Sequence, residues 1–365
     1  DGGEETEIAA DVVVVAAGGV GGNLDLVRSE WPEELGSPPE HILMGSHYYA
    51  DGAMHEEVER RGGNVTHISR MWNYADAVRH PKPRRPLHGV KLIPPRSGLL
   101  LDPTGRRYGP VPVMPTFDAR YALERMCEDD RKYSWLVCNY KIARRELDVS
   151  GSEHNPQIRE KRLVRFLASV VLGKPALVDY FVKKCPDFVT ADSLPELARK
   201  MNEVTGTEDL DADLMASEIR RYDDMLGRGK GLWNDDQIRR IAQYRNWRGD
   251  RLRTSKFQQI ADPDAGPLLA IRLQVMARKS LGGIQTDLQS RVLTADGDPI
   301  PGLYAAGEAA GFGGGGMHGR RSLEGTFLGG CVFSGRIAAQ AIAGTDTVTH
   351  SHNGDVPAGA VETEG

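Results

Sequence analysis

The stretch that decides the fold is IPGLYAAGEAAGFGGGGMHGRRSLEGTFLGGCVFSGRIAAQAIAG, residues 300–344. It predicts an apolar strand over residues 303–306 that leads into Gly307 and Glu308 and then into four consecutive glycines at 313–316. A helix is predicted next, over about residues 325–343. Four glycines in a row are costly in chain entropy. We interpret them either as an ordinary surface loop or as backbone that must approach a flat ligand closely.

Working outward, the neighbouring segments also indicate strands and glycine turns. GPLLAIRLQVMA (266–277) is typical of a strand, and residues 282–308 predict a strand, a turn near Gly297 and another strand. Near the start, residues 11–17 form a valine-rich apolar run, which predicts a buried parallel strand. We expect short helices after that run and over residues 50–62.

The middle of the chain is different in character. Prolines recur between residues 80 and 116, which excludes one long helix or a central strand there, and LLLDPTGRRYG (99–109) predicts a strand with a turn. Residues 118–255 are mostly helical by pattern, with Ser193 and Glu196 as a capping box. The sequence therefore predicts an inserted, mostly helical domain.

A nucleotide-binding fingerprint is absent from the place where the glycines suggest it. G-x-G-x-x-G fails because Leu24 stands where the third glycine should be when the motif starts at Gly19. No strand ending in an acid follows about 20 residues later. This disfavours an NAD-dependent Rossmann dehydrogenase. The glycines at 18–22 instead indicate a backbone that passes close to a ligand or to a packing partner.

Three segments resemble one known flavoprotein superfamily. They are KSLGGIQTD (279–287), RVLTADGDPIPGLYAAGE (291–308) and GGMHGRRSLEGTFLGGCVFSGRIA (315–338). Their order and spacing resemble the fumarate reductase / 3-ketosteroid Δ1-dehydrogenase superfamily, and most closely its bacterial FAD-binding dehydrogenase branch. VVVVAAGGVGGN (12–23) and ADGAMHEEVERRGG (50–63) extend the resemblance more weakly upstream.

The resemblance implies an α/β fold: a partial FAD-binding, Rossmann-like domain with an inserted, mostly helical α+β substrate or cap domain. The implied ranges are 1–95 and 279–345 for the FAD-binding parts, 96–278 for the cap, and 346–365 for a polar, disordered tail. The superfamily begins with a G-x-G-x-x-G unit that holds the ADP half of FAD, and nothing before Asp11 supplies it. We therefore expect this chain by itself to bind FAD weakly and to expose apolar surface.

The resemblance also implies which residues contact FAD. Glu308 would accept hydrogen bonds from ribityl or ribose hydroxyls, and a helix N-terminus near Ser322 would face the anionic edge of reduced flavin. The expected cofactor-binding residues are Ala17, Gly18, Gly19, Gly307, Glu308, Gly314, Gly315, Gly316, His318, Arg321, Ser322 and Leu323. Arg320 would add positive charge, and no metal site is predicted.

Catalytic residues depart from the fumarate reductase pattern. Lys279 occupies the place of a substrate-binding histidine, and Ser322 stands where an arginine precedes the Leu-Gly-Gly motif in that pattern. A dicarboxylate substrate is therefore disfavoured. Ketosteroid dehydrogenases use tyrosines, so the candidates are Tyr108, Tyr133 and Tyr140, each of which has a structural role as its alternative, together with Arg321.

The leading hypothesis is an FAD-dependent dehydrogenase that transfers hydride between flavin N5 and a C–C bond next to a carbonyl of an apolar, steroid-like substrate. The alternatives are a flavin-free, inactive remnant and a fumarate-reductase-like ene reductase. A net charge of −5 does not support a nucleic-acid partner, and no apolar run spans a membrane. Four scattered cysteines without a C-x-x-C pair predict free thiols in the cytoplasm. Substrate identity, electron acceptor and oligomeric state stay open.

Overall fold

The computed structural model describes residues 7–109, 114–312 and 326–344. The strands are β1 (Val13–Val15), β2 (Leu43–Met44), β3 (Val65–Thr66), β4 (Met71–Arg79), β5 (Gly89–Ile93), β6 (Leu99–Leu101), β7 (Tyr133–Asn139), β8 (Asp148–Val149), β9 (Phe188–Ala191), β10 (Leu268–Ser280), β11 (Gly283–Ile284), β12 (Arg291–Leu293) and β13 (Pro299–Ala305). The helices are α1 (Leu24–Ser29), α2 (Ala53–Arg60), α3 (Ala119–Cys127), α4 (Tyr140–Glu146), α5 (Pro156–Arg159), α6 (Leu163–Leu172), α7 (Pro175–Lys184), α8 (Leu194–Thr205), α9 (Ala212–Gly227), α10 (Asp236–Tyr244), α11 (Arg248–Arg253) and α12 (Thr326–Ile342).

An eight-stranded sheet forms the centre of the molecule, with the order β6-β7-β10-β4-β5-β8. The long strand β10 pairs antiparallel with β4 and β7, and β2 and β9 also pair with it. Strand β7 is buried along its whole length, which suits its aromatic and β-branched composition. The main hydrophobic core lies between this sheet and the helices packed on it, including α3, α4 and α8.

A smaller sheet has the order β1-β13-β12. Its first pair is parallel, with Val13 beside Leu303 and Val15 beside Ala305, which confirms the parallel strand predicted near the start. The prediction that this strand is buried is wrong for Val13 and Val14, which are 50% and 45% exposed. The reason is that β1 is an edge strand in the described residues and its outward valines meet no covering layer.

Local signals predicted many elements correctly. Ser193 Oγ accepts the N–H of Glu196 at the start of α8, which confirms the predicted cap. Gly297 has a φ of 92° in the turn between β12 and β13, as the glycine turn predicts. The mixed architecture confirms the predicted α/β class with its helical insertion.

The large sheet crosses the predicted boundary between residues 95 and 96. Strands β4 and β5 precede that boundary, yet β4 pairs with β10, whose first residues lie in the range predicted for the cap. Sequence patterns could not show this because the paired strands are about 200 residues apart in the chain. Among the described residues, no helix has both the length and the apolar character needed to cross a membrane.

Candidate functional site

The candidate site lies where the carboxyl ends of β1, β10 and β13 meet. Ser280, the last residue of β10, connects all three: its Oγ accepts the N–H of Val20 at 2.9 Å, and its own N–H donates to Glu308 Oε1 at 2.9 Å. Glu308 follows directly after β13 in a short 3₁₀ turn over residues 307–310. Ligands of α/β folds bind outside the carboxyl ends of parallel strands, and β1 and β13 are such a pair.

Glu308 is the acidic group of this site. Burial raises the pKa of its carboxyl group, while the Ser280 N–H and the nearby charges of Lys279 and Arg278 act in the opposite direction. A largely buried carboxylate that follows a strand of a parallel pair is chemically suited to accept hydrogen bonds from sugar hydroxyls. The structure also confirms the predicted position of Glu308 just after a strand.

Neighbouring protein atoms leave no room for a side chain at the glycines that follow β1. A Cβ on Gly19 would lie 2.3 Å from Ser280 Oγ and 2.7 Å from Glu308 Oε1. Gly18 has a φ of 85°, and a Cβ there would lie 3.0 Å from that of Ala50. The sequence left open whether these glycines pass close to a ligand or to a packing partner. The structure supplies a packing partner for Gly19, namely Ser280 and Glu308, which belong to the candidate site.

A second glycine pair, Gly282 and Gly283, follows β10 and is also closely packed. A Cβ on Gly282 would lie 2.0 Å from the carbonyl oxygen of His67, and one on Gly283 would lie 2.5 Å from that of Ala309. The main chain after β10 therefore passes in direct contact with the turn that carries Glu308. This contact explains the Gly-Gly pair in the segment 279–287.

An aromatic cluster borders the site. Trp72, Phe312 and Phe327 have ring centroids 5.5–5.9 Å apart, and the Lys279 ammonium lies 5.7 Å from the Trp72 ring and 5.4 Å from the Phe327 ring. Leu281 and Met276 belong to the same apolar cluster. Trp72 and Phe327 are buried, so this cluster forms an apolar layer beneath the site, and Phe312 is its partly exposed aromatic ring.

Several predicted contacts lie outside the described residues: Gly314, Gly315, Gly316, His318, Arg320, Arg321, Ser322 and Leu323. Ala17 and Gly307 are described and belong to the converging ends of β1 and β13. The Gly307 N–H donates to Ser334 Oγ of α12 at 2.9 Å, which connects this turn to the helix. The assignment of these residues to FAD stays a prediction.

The three candidate tyrosines are not brought to this site. Asn139, immediately before Tyr140, pairs with Leu268 at the far end of the 13-residue strand β10, on the order of 40 Å from Ser280. Tyr133 pairs with Gln274, on the order of 20 Å from Ser280. The hydroxyl of Tyr108 lies 2.9 Å from Ser134 Oγ, beside Tyr133 in the sheet.

Their electrostatics also oppose a role as a base. Burial raises the pKa of Tyr108 and of Tyr133, and a hydrogen bond to Asp179 raises that of Tyr140. A tyrosine base needs a lowered pKa to work near neutrality. The catalytic assignment of these tyrosines stays a prediction that neither the geometry nor the pKa directions support.

A cluster of His80, Glu153 and His154 has metal-like spacing, with ligand atoms within 4.8 Å of one another. Its hydrogen bonds oppose metal binding. His80 Nδ1 accepts the N–H of Lys82 at 3.0 Å, so the neutral ring carries its proton on Nε2, the atom that a metal would need. Arg84 already pairs with Glu153 at 2.6 Å. The sequence-based prediction of no metal site stays a prediction.

A match to a known family covers most of the chain. The FAD binding domain family matches residues 1–328. The chain belongs to this family. Its cofactor is FAD, and the acidic, strand-end geometry of Glu308 fits the hydroxyl-bearing part of that cofactor.

Two curated relatives are KsdD-like steroid dehydrogenases. That of Mycobacterium tuberculosis is 44% identical over 339 residues, which cover 92% of this chain and 59% of the relative. That of Mycolicibacterium smegmatis is 44% identical over 323 residues, which cover 88% of this chain and 58% of the relative. The chain thus spans less than two thirds of the length of these relatives.

A solved structure shares the fold. 3-Ketosteroid Δ1-dehydrogenase from Sterolibacterium denitrificans, in complex with 1,4-androstadiene-3,17-dione, superimposes with a TM-score of 0.59 at 17% identity. The match covers 92% of this chain and 54% of that chain. This likeness shows the fold, and the flavoprotein resemblance seen in the sequence is confirmed by the family match and the 44% identical relatives.

Sequence reasoning missed two groups of this site. Ser280 is the hub of its hydrogen bonds, and Ser46 Oγ donates to the Arg278 carbonyl beside it. Trp72 completes the aromatic border. No local signal marks these residues, because their roles come from contacts with residues that are distant in the chain, 28 positions away for Ser280 with Glu308 and 260 for Ser280 with Val20.

Proposed function

We propose that this chain is the major part of an FAD-dependent dehydrogenase that acts on a C–C bond next to a carbonyl of an apolar, steroid-like substrate. Bound flavin would supply the hydride acceptor or donor. The observation that carries the proposal is the meeting of Glu308, Ser280 and Gly19 beside the aromatic border of Trp72 and Phe327. The 44% identical KsdD-like steroid dehydrogenases support the substrate class.

The residues have distinct proposed roles. Glu308 binds ribityl or ribose hydroxyls, while Ser280 fixes the orientation of its carboxylate. The aromatic border is a buried apolar layer that keeps water away from this side of the site, and its partly exposed member is Phe312. The cysteines are free, which supports a reducing compartment, and we propose the cytoplasm.

A flavin-free, inactive chain is the competing proposal, and the exposed valines of β1 together with the exposed Leu328, Val332 and Phe333 of α12 favour it. The absorbance spectrum of the chain after incubation with FAD separates the two. We expect saturable but weak FAD binding in a spectral titration, and turnover of a 3-ketosteroid with an artificial electron acceptor at saturating FAD. A chain that stays colourless at saturating FAD contradicts the enzyme proposal for this chain.

Glu308→Gln is expected to change stability and FAD affinity in opposite directions. Loss of a charged hydrogen-bond acceptor should weaken FAD binding by about 1.5–3 kcal/mol, roughly ten- to a hundred-fold. The pKa of the Glu308 carboxyl group is higher in the folded chain than in the unfolded chain. The stability that this group contributes is therefore fully present below its unfolded-state pKa and is lost as the pH rises through its folded-state pKa. The uncharged amide should therefore stabilise the FAD-free chain at neutral pH, with a smaller gain near pH 4.

Thermal unfolding from pH 4 to 8 and fluorescence titration with FAD measure the two effects. Glu33→Gln is the control, since Glu33 is an exposed acid in the 3₁₀ turn over Glu33–Leu35, away from the three strand ends. An FAD affinity of Glu308→Gln equal to that of the wild type would contradict the proposed role of the carboxylate.

A further inference from the structure

Helix α6 presents its apolar side to solvent. Leu163, Val164, Leu167, Val171 and Leu172 are between 51% and 81% exposed, and none of the ten residues of α6 is buried. The first four share one side of the helix at 100° per residue. Soluble helices turn such a stripe toward the core, so this stripe lacks a partner among the described residues.

Basic residues lie at the N-terminal end of α6. Arg159, Lys161 and Arg162 precede the helix, and Arg165 is the one charged residue within it. The single acid of this segment, Glu160, pairs with Arg159 and Arg162. The N-terminal side of α6 therefore carries a net positive charge.

A cationic groove of about 430 Å³ adjoins the other end of the helix, and Leu172 lines part of it. The basic residues that line it are Lys141, Arg144, Arg145, Arg245, Arg251 and Lys256. Arg145 donates to the Val171 carbonyl at 2.7 Å, so the groove is attached directly to the C-terminal end of α6. Helix α11, which carries Arg251, also contacts α6.

These cations are poorly neutralised. The residues that line the groove include no aspartate or glutamate. Asp262, just outside the groove, has its Oδ2 3.8 Å from Lys141 Nζ. Among the described acids, none lies within ion-pair distance of Arg144, Arg251 or Lys256, and all three side chains are exposed. Burial, and then repulsion by Arg145 and Arg251, lower the pKa of Arg245, while Glu146 acts in the opposite direction.

We propose that the α6 stripe and the adjoining groove, together the α6 face, bind the surface of an anionic phospholipid bilayer. The apolar side chains would enter the boundary of the acyl chains, while the groove would take lipid phosphates. Each basic side chain close to an anionic surface strengthens binding about five-fold at moderate salt. The benefit of collecting a lipophilic substrate from the bilayer rests on the proposed function, but the binding itself does not.

Charge decides between the possible occupants. A two-fold dimer through this face would place the same cationic groove against itself, which costs electrostatic energy. A purely ionic partner, such as a nucleic acid, would leave five exposed apolar side chains unused. A bilayer with anionic headgroups matches both the charge and the apolar stripe.

Vesicle co-sedimentation of the full chain tests the proposal. We expect binding to vesicles of 30% phosphatidylglycerol in phosphatidylcholine and little binding to pure phosphatidylcholine, with a loss of binding as salt rises. Leu163→Glu with Leu167→Glu should weaken binding about ten-fold or more. Arg144→Glu with Arg251→Glu should weaken it by a similar factor and reduce its salt dependence.

Leu288→Glu is the matched control, because Leu288 is 84% exposed in the turn between β11 and β12. It should bind vesicles as the wild type does, and circular dichroism and melting temperature should show that all variants fold. Equal weakening by Leu288→Glu, or no binding of the wild type to anionic vesicles, would overturn the proposal. So would a dimer in analytical ultracentrifugation that Leu163→Glu with Leu167→Glu dissociates while vesicle binding is absent.

Discussion

Gly19→Ala is expected to lower the affinity for FAD by about ten-fold or more and to destabilise the chain by about 1–3 kcal/mol. The added Cβ would lie 2.3 Å from Ser280 Oγ and 2.7 Å from Glu308 Oε1. Either group must move, and each holds a hydrogen bond that joins two strand ends. Displacement of Glu308 moves the carboxylate that we propose for the cofactor hydroxyls.

Gly231→Ala is the matched control, because a Cβ at that glycine meets no atom within 4 Å. A double-mutant cycle with Ser280→Gly isolates the cause. Ser280→Gly alone should destabilise the chain by removing the acceptor for the Val20 N–H, yet it should partly rescue the stability of Gly19→Ala. Urea unfolding and FAD titration measure both quantities. Behaviour of Gly19→Ala equal to that of Gly231→Ala would show that the predicted contact is not the reason for the glycine.

Asp187→Ala is expected to lower the free energy of unfolding by about 2–3 kcal/mol, because it removes the acceptor of a buried amide and of a partly exposed arginine. The Asp187 carboxylate is fully buried and accepts four hydrogen bonds. Three come from Arg79 at the end of β4, and one comes from Gln274 Nε2 in β10 at 2.9 Å. Removal of the carboxylate leaves the buried Gln274 amide without this acceptor, while the Arg79 side chain, which is 42% exposed, can turn to water.

Asp187→Asn retains the shape and one acceptor oxygen, so we expect it to lose less stability than Asp187→Ala. Asp296→Ala is the surface control: Asp296 is exposed in the turn before β13, and its removal should change stability by no more than about 0.5 kcal/mol. Urea denaturation followed by circular dichroism gives the comparison. A loss below about 1 kcal/mol for Asp187→Ala would contradict a structural role for this network.

Local patterns predicted the parts of the fold that neighbouring residues control. The valine run ended by glycines predicted β1, and the Ser193 hydroxyl predicted the start of α8, because both depend on residues within one or two turns of chain. The strand that leads into Glu308 was predicted in the same way. The flavoprotein resemblance then supplied the cofactor, which the family match confirms.

The pairing of β10 with β4 and β7 could not be predicted, because it depends on contacts between residues more than 100 positions apart. The same pairing separates Tyr140 from Ser280 by the length of β10. Sequence order alone cannot exclude this tyrosine from a flavin site, since a chain segment has no fixed distance from another until the sheet forms.

The sequence by itself determined that two strands are each followed by a glycine turn and that an acid stands at residue 308. It also determined that the chain belongs with flavoproteins. Only the tertiary structure decided why Gly19 is a glycine, since the atom that excludes a side chain is Ser280 Oγ. It also decided that α6 turns its apolar stripe outward, which periodicity cannot show. A hydrophobic pattern records which side chains share a face, and only packing determines what that face contacts.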